Sequence, residues 1–376
     1  MIKLTQEVVL IKALILLLIL LFSLTGTGCR QTTARNLPPE NSNEPSIETP
    51  LPTENEIAPP GEETENAGPE EAENTVEDIL HLHPNELGQV MILMYHEIGG
   101  EEGSWRRTVE NFRSDLETLY LEGYRPVNLM DLLSGNINVP PGTTPFVLTF
   151  DDGTLGQFRY LEDEENKTVL DPDCAVAILL EMAEKYDDFS VAGTFYIYYP
   201  VPFRQQAYVE KKLKALVEWG FEIGNHAYNH ENLAKISREE AIKALAKNVQ
   251  STLKYLPDYQ VRSLALPYGA RPREDDHLLA GIWEDITYKN EAILLVGANP
   301  APSPYAKNFD PLRLPRVRAD GQELPKWLEY FRQHPHLRYF SDGDPETITF
   351  PEEFADKLAE TATGGKKIRL YNSDDY

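Results

Sequence analysis

From Gln89 to Arg318 the chain keeps repeating one unit, a short greasy run followed by a longer amphipathic one. The greasy runs are "VMILMY", "FVLTF", "AGTFYIYY", "FEIGN", "VRSLALP", "EAILLVG" and "LRLPRVR". Most are too apolar to leave one face in water, as expected of strands covered on both sides. The runs between the first five have helical spacing, whereas the last three greasy runs follow one another with no such run read between them. In "TVENFRSDLETLYLEG" the residues Phe112, Leu116, Leu119 and Tyr120 share a face, Thr108 suits an N-cap and Gly123 a stop. "DCAVAILLEMAEKY", "YVEKKLKALVEWG" and "SREEAIKALAKNVQSTLKYL" read the same way. Strands alternating with helices of this length predict an α/β fold with a parallel sheet and crossover helices. So many units in one domain predict a barrel.

In such folds the chemistry sits beyond the C-terminal ends of the strands. Tyr95-His96-Glu97, Asp151-Asp152-Gly153, Asn225-His226 and Pro267-Tyr268-Gly269 each follow a predicted strand. Asp151 and Asp152 are two carboxylates side by side at the end of a buried run, which needs a reason. His226 and His230, four residues apart in "NHAYNH", share one face if the chain enters a helical turn there. Two histidines and one carboxylate make a divalent-metal site with open positions. The cation would coordinate one aspartate and let the other stay ionised as a base. Gly153 permits the tight turn. Taken singly, each feature has a plainer reading: histidines bonded to backbone, and an ordinary Asp-Asp-Gly turn. Their joint occurrence at the ends of separate strands favours a site. A zincin fits less well, because Ala227 stands where its glutamate belongs. A phosphatase of the haloacid-dehalogenase type needs its aspartates separated by one residue. An iron oxygenase shares the ligand set but normally builds it on an antiparallel barrel.

"LTFDDG", "GNHAYNH" and "LALPYG", in that order, resemble the first three motifs of the polysaccharide deacetylase family, carbohydrate esterase family 4 with its NodB-homology domain. The resemblance runs from about Gln89 to Arg318. It implies an irregular (β/α) barrel and a hydrolase that removes N-acetyl groups from a polysaccharide. By position, Asp151 becomes the general base, and Asp152, His226 and His230 the ligands of a divalent metal, usually zinc. The Tyr268 amide, following Pro267, becomes a donor to the oxyanion. The implied cation lowers the pKa of water from about 15.7 towards 7, and Asp151 takes the proton as water attacks the acetamide. Pro267, Tyr268 and Trp105 are candidate contacts to the sugar, Trp105 reading equally well as a partly exposed packing residue.

Two positions depart from the family. Ala265 stands where an arginine normally pairs with the base, and Arg316 or Arg318 would have to replace it. The late leucine-histidine motif that supplies the general acid has no counterpart. His96, following the first strand, is the candidate acid; its other reading is a structural histidine bonded to the next loop. These departures keep an alternative open, a non-catalytic glycan-binding protein on the same fold.

The ends carry different information. Lys3 and Lys12 precede "ALILLLILLFSL", which leads into "TGTGC" ending at Cys29. Residues 1–29 resemble a bacterial lipoprotein signal with Cys29 as the lipidated residue, although Gly26 stands where leucine is usual. The alternative is an uncleaved single anchor over Val8 to Leu24. Both put the remainder on the extracellular face of the cytoplasmic membrane. Residues 30–88 read as a disordered acidic linker, with no Lys or Arg from Asn36 to Leu80. Residues 89–320 are the predicted catalytic domain and 321–376 a C-terminal extension. A net charge of −26, from 35 Lys+Arg against 61 Asp+Glu, argues against a nucleic-acid partner. Of the two cysteines, Cys174 opens an apolar helix and reads as a buried hydrophobe. "QFRYLEDEENKTVLDPD" is long for a loop after a strand, and reads as a lid or substrate wall for a cationic glycan, or as a solvated hairpin.

Overall fold

Residues 75–375 are described by a computed structural model. The signal-like segment, Cys29 and the acidic stretch up to residue 74 lie outside the described residues. Eight parallel strands form one curled sheet: β1 (Met91–Tyr95), β2 (Tyr124–Pro126), β3 (Thr144–Asp151), β4 (Thr194–Ile197), β5 (Glu222–Asn225), β6 (Ser263–Ala265), β7 (Ala292–Leu294) and β8 (Val317–Arg318). Their order is β7-β6-β5-β4-β3-β1-β8, with β2 beside the start of β3. One extended segment brings the edges together. Leu314 pairs in parallel with Leu294 of β7, and shortly afterwards Val317 pairs with Leu93 of β1. The result is an irregular (β/α) barrel whose two open edges are covered by the same segment.

The helices are α1 (Val76–Leu80), α2 (Val109–Leu121), α3 (Leu129–Ser134), α4 (Ala175–Lys185), α5 (Val209–Glu218), α6 (Arg238–Leu253), α7 (Asp276–Leu279) and α8 (Glu323–Gln333). The Thr108 side chain accepts from the Asn111 amide to start α2, and Ser237 with Glu240 forms a capping box on α6. Gly123, at φ +81°, turns the chain after α2 into β2, a strand too short to show in the hydrophobic pattern. Between β6 and β7 there is no long crossover helix. A single turn, α7, and an antiparallel hairpin of Ala280–Trp283 with Ile286–Lys289 replace it.

Side-chain alternation along the strands sorts the core. Leu93, Tyr95, Leu148 and Phe150 face the helices with Phe112, Leu116, Leu179 and Leu213. Ile92, Val147, Tyr196, Ala265, Leu294 and Leu314 fill the interior. Carried on to the strand ends, the inward parity falls on His96, Asp151, His226 and Arg316. The barrel core therefore aims these residues at a common volume.

The folded unit is wider than residues 89–320. Residues 75–88, expected as linker, are ordered: α1 is capped reciprocally by Thr75 and Asp78, and Leu80 and Leu87 are buried. Glu86 accepts from the Thr349 amide at 2.9 Å and the Tyr339 hydroxyl at 3.0 Å. Its partners lie far along the chain, which is why local composition conceals them. The C-terminal extension is also core. Leu324, Leu328 and Phe331 of α8 join the helix-facing cluster, and Ile348 and Phe350 join the interior one. Cys174 is buried and free. Among the described residues no helix is long and apolar enough to cross a membrane.

Candidate active site

Asp151, the last residue of β3, is 1% exposed, and a carboxylate so buried requires a partner. Arg316 supplies it across the barrel interior. Its Nη1 donates to Oδ1 at 2.7 Å and its Nη2 to Oδ2 at 2.8 Å. The guanidinium is itself fully buried, with Nε donating to the Leu295 carbonyl at 2.8 Å and Nη1 to Thr149 Oγ1 at 3.1 Å. Such a two-pronged buried pair fixes the carboxylate in orientation as well as charge. Burial alone would raise the Asp151 pKa. Arg316, followed by His226, outweighs burial and holds it below the ordinary carboxylate value. Of the two arginines that the sequence offers, Arg318 instead pairs with Asp320 and lies 5.4 Å from the Trp105 ring centre. With Arg316 occupying the interior beside Asp151, position 265 carries only an alanine.

Asp152 turns the other way because its backbone is left-handed, at φ +77°. Its Oδ1 lies 3.3 Å from His226 Nε2 and 3.2 Å from His230 Nε2. His226 Nδ1 donates to the Ala265 carbonyl at 2.9 Å, which leaves Nε2 as a lone pair facing Asp152. The distances suit hydrogen bonds, yet Asp152 Oδ1 is buried without a hydrogen-bond partner. That conflict resolves if the facing imidazole nitrogens are lone pairs. Three acceptor atoms, all within 4.8 Å of one another, then converge on one point. An oxygen and two imidazole nitrogens fit a divalent cation such as zinc. Burial opposes ionisation of Asp152; positive charge at this point, carried by protons on the two imidazoles or by a cation in their place, outweighs it and holds its pKa below the usual range.

The histidines do not meet on a helical turn. Residues 226–230 form a loop in which Ala227 (φ +55°) and His230 (φ +58°) are left-handed. Conformations of this kind cost about 1–3 kcal/mol each and persist only where neighbours impose them. Here Asn225 Oδ1 accepts from the Ala227 amide at 2.9 Å, and Asn248 donates to the carbonyls of Ile197 and Ala227 at 2.8 and 2.9 Å.

A cavity of about 460 Å³ opens over both aspartates. His96 lines it, with Nε2 3.9 Å from Asp151 Oδ2. Burial lowers the His96 pKa, and the charges of Asp151 and Asp152 only partly offset this. The Trp105 ring, 47% exposed, lies 4.7 Å from that of His96, and Tyr268, 67% exposed, lies 4.5 Å from His230. Pro267 is buried and does not line the cavity; its neighbours Leu266 and Tyr268 do. Glu97 is on the wall but is paired with Arg106 at 2.8 Å. The segment after the first motif folds into a hairpin, Tyr160–Glu162 with Thr168–Leu170, that contributes nothing to the lining. Nothing in the local sequence pattern marks the apolar wall residues Leu266 and Val296, or the buried Gln157 beneath the floor.

Residues 138–279 match the family model for polysaccharide deacetylase. None of the curated proteins matches the chain. Solved structures similar to it include the Streptococcus pyogenes deacetylase PplD in complex with acetate, at 19% identity and a TM-score of 0.46 over 64% of this chain and 97% of that one. IcaB from Ammonifex degensii is 18% identical, with a TM-score of 0.47 over 65% of this chain and 97% of that one. A polysaccharide deacetylase from Bacillus cereus is 19% identical, with a TM-score of 0.43 over 64% and 68%.

Proposed function

With a polysaccharide deacetylase domain as the premise, we propose that this chain is a metal-dependent hydrolase that removes N-acetyl groups from an extracellular or cell-wall polysaccharide. The observation that carries the proposal is the division of labour between adjacent aspartates. Asp152 is turned to His226 and His230, whereas Asp151 is held ionised by Arg316 and faces His96.

A divalent cation held by Asp152, His226 and His230, zinc by resemblance, supplies Lewis acidity towards water and the acetyl carbonyl. Asp151 accepts the proton of the attacking water, its lone pairs kept available by the arginine behind it. The Tyr268 amide donates to the developing oxyanion, and the cavity wall, which includes Leu266 and Val296, orients the acetamide. His96 gives a proton to the departing sugar amine; burial keeps its resting imidazole mostly neutral, so that proton is the one Asp151, 3.9 Å away, takes from the attacking water. Water and acetamide become acetate and amine, with no other reactant. The aromatic faces of Trp105 and Tyr268 suit a pyranose ring.

The glycan-binding alternative drew its motive from a missing arginine and a missing acid. Arg316 and His96 supply groups of both kinds, which favours the enzyme. The lipoprotein-like signal supports attachment to the outer face of the cytoplasmic membrane through Cys29.

The test is acetate release from chitooligosaccharides and from peptidoglycan, by zinc-loaded protein and by Asp151→Asn. Release by the first, with a fall of about 10²–10⁴-fold in the second at unchanged metal content, is the expected result. Release that is equal in both would assign the base elsewhere.

A further inference from the structure

The aligned ladder between β1 and β3 ends at Tyr95 with Phe150. The next pair would be His96 and Asp151, the proposed acid and base. No such rung forms, and Asp151 pairs on its other side with Tyr196. Something else must hold the two strand ends together. Gln157, fully buried at the end of the short turn Leu155–Gln157, is in position to do so. Its Nε2 donates to the His96 carbonyl at 2.5 Å and to the Asp151 carbonyl at 2.5 Å. Two acceptors facing one amide nitrogen dictate which way the amide points, since the flipped form would oppose oxygen to oxygen. The cost of that arrangement is visible. Gln157 Oε1 is buried without a hydrogen-bond partner, a loss that both N–H bonds must outweigh.

The turn is shaped to bring Gln157 there. At Gly156 a Cβ would stand 1.8 Å from the Ile98 carbonyl oxygen, so only glycine lets the turn press against the segment after His96. Thr154 Oγ1 approaches the His96 carbonyl from the same turn at 3.5 Å.

We propose that Gln157 is a positioning residue: its side-chain amide serves as the missing rung and fixes the separation of His96 from Asp151. The proposal rests on the reading of those two residues as acid and base. Each amide hydrogen holds one catalytic backbone, so losing both lets the pair drift, and a misplacement of about 1 Å typically costs on the order of 10²-fold in rate.

The experiment uses Gln157→Met, close in volume but without donors, alone and combined with His96→Gln, on zinc-loaded full-length protein with a chitooligosaccharide. Gln157→Met should lose about 10- to 100-fold in kcat, with KM and zinc stoichiometry unchanged. The double variant should lose far less than the product of the single losses, because both act on one acid–base geometry. An unchanged kcat, a loss confined to KM or to the folded fraction, or multiplying losses would overturn the proposal. Should Gln157→Met fail to fold, Gln157→Asn keeps the amide but is too short to reach both carbonyls, and the same pattern is required of it. If neither folds, Gln157 is a tie of the fold and the proposal falls. Absence of acetate release by the wild type would remove the deacetylase reading itself, and this inference with it.

Discussion

Replacing Arg316 with methionine would strand a carboxylate in the barrel interior. Asp151 and Arg316 are 1% and 0% exposed and share two hydrogen bonds of 2.7 and 2.8 Å, so water cannot take over the role of the guanidinium. Removing one partner of a buried pair typically costs about 3–5 kcal/mol, whereas exchanging both for neutral groups is often close to neutral. Arg316→Met should therefore be destabilised by about that amount at pH 7, and Asp151→Asn with Arg316→Met should recover much of it. The coupling in that cycle should exceed about 1 kcal/mol.

The pH dependence has a definite sign. In the wild type the Asp151 pKa lies below the ordinary value. Its contribution to stability is present above about pH 4 and is lost as pH falls through the lowered folded value. Without Arg316, burial dominates and raises the pKa, so the variant carries a penalty that grows as pH rises from about 4. The gap between wild type and Arg316→Met should widen between pH 4 and pH 7. Urea titrations followed by tryptophan fluorescence, with chelator present so that metal occupancy does not vary, measure it. Acetate release should fall by at least about 10²-fold, because a protonated Asp151 accepts nothing. A gap independent of pH, or strictly additive single changes, would refute the claim that this ion pair keeps the base charged.

Asp152→Ala, His226→Ala and His230→Ala should each lose stoichiometric zinc by atomic emission; full occupancy would remove that residue from the site. Burial, reinforced by Asp342, pushes the Glu86 carboxyl up to about 8. Its contribution to stability is thus full below about pH 4.5 and is lost as pH rises towards 8, so Glu86→Gln should flatten the decline between pH 5 and pH 8; equal slopes in urea titrations would count against it. Removing residues 1–74 should leave the thermal midpoint unchanged, while cutting on to residue 88 should lower it, because the latter deletes Leu80, Leu87 and the Glu86 contacts; equal midpoints would contradict the packing of that segment.

Strands buried on both faces announce themselves as unbroken apolar runs, so the residues following them could be read as one rim without coordinates. The pairing of Asp151 with Asp152, and of His226 with His230, was visible for that reason. How the histidines converge was not. Spacing by four suggested a helical turn, but left-handed backbone at Ala227 and His230 achieves the convergence, with Ala227 held by Asn225 and Asn248. Left-handed conformations at alanine and histidine leave no mark in a sequence. The two boundaries failed for a related cause. Glu86 lies in a stretch that reads as solvated acid, and what buries it is contributed by Tyr339 and Thr349.

Arg316 shows where one-dimensional pattern stops being informative. Alternation assigns Arg316 and Arg318 to the same face, so parity cannot choose between them. Depth decides. Arg318 lies towards the rim, engaged with Asp320 beneath Trp105, while Arg316 is enclosed and has Asp151 within reach. In the proposed mechanism Arg316 then does what an arginine at position 265 would do, because a base needs a buried cation against its carboxylate and not a particular strand to deliver it. A barrel allows this since side chains from any strand meet in the same interior. The cost falls on closure: Arg316 belongs to the segment that joins β7 to β1, and at Gly297 a Cβ would stand 1.4 Å from the Arg316 carbonyl oxygen. The residue that pairs with the proposed base is thus fixed in the same stretch of chain that closes the barrel, so a loosened seam should show first as a shifted Asp151 pKa and only later as an unfolded protein.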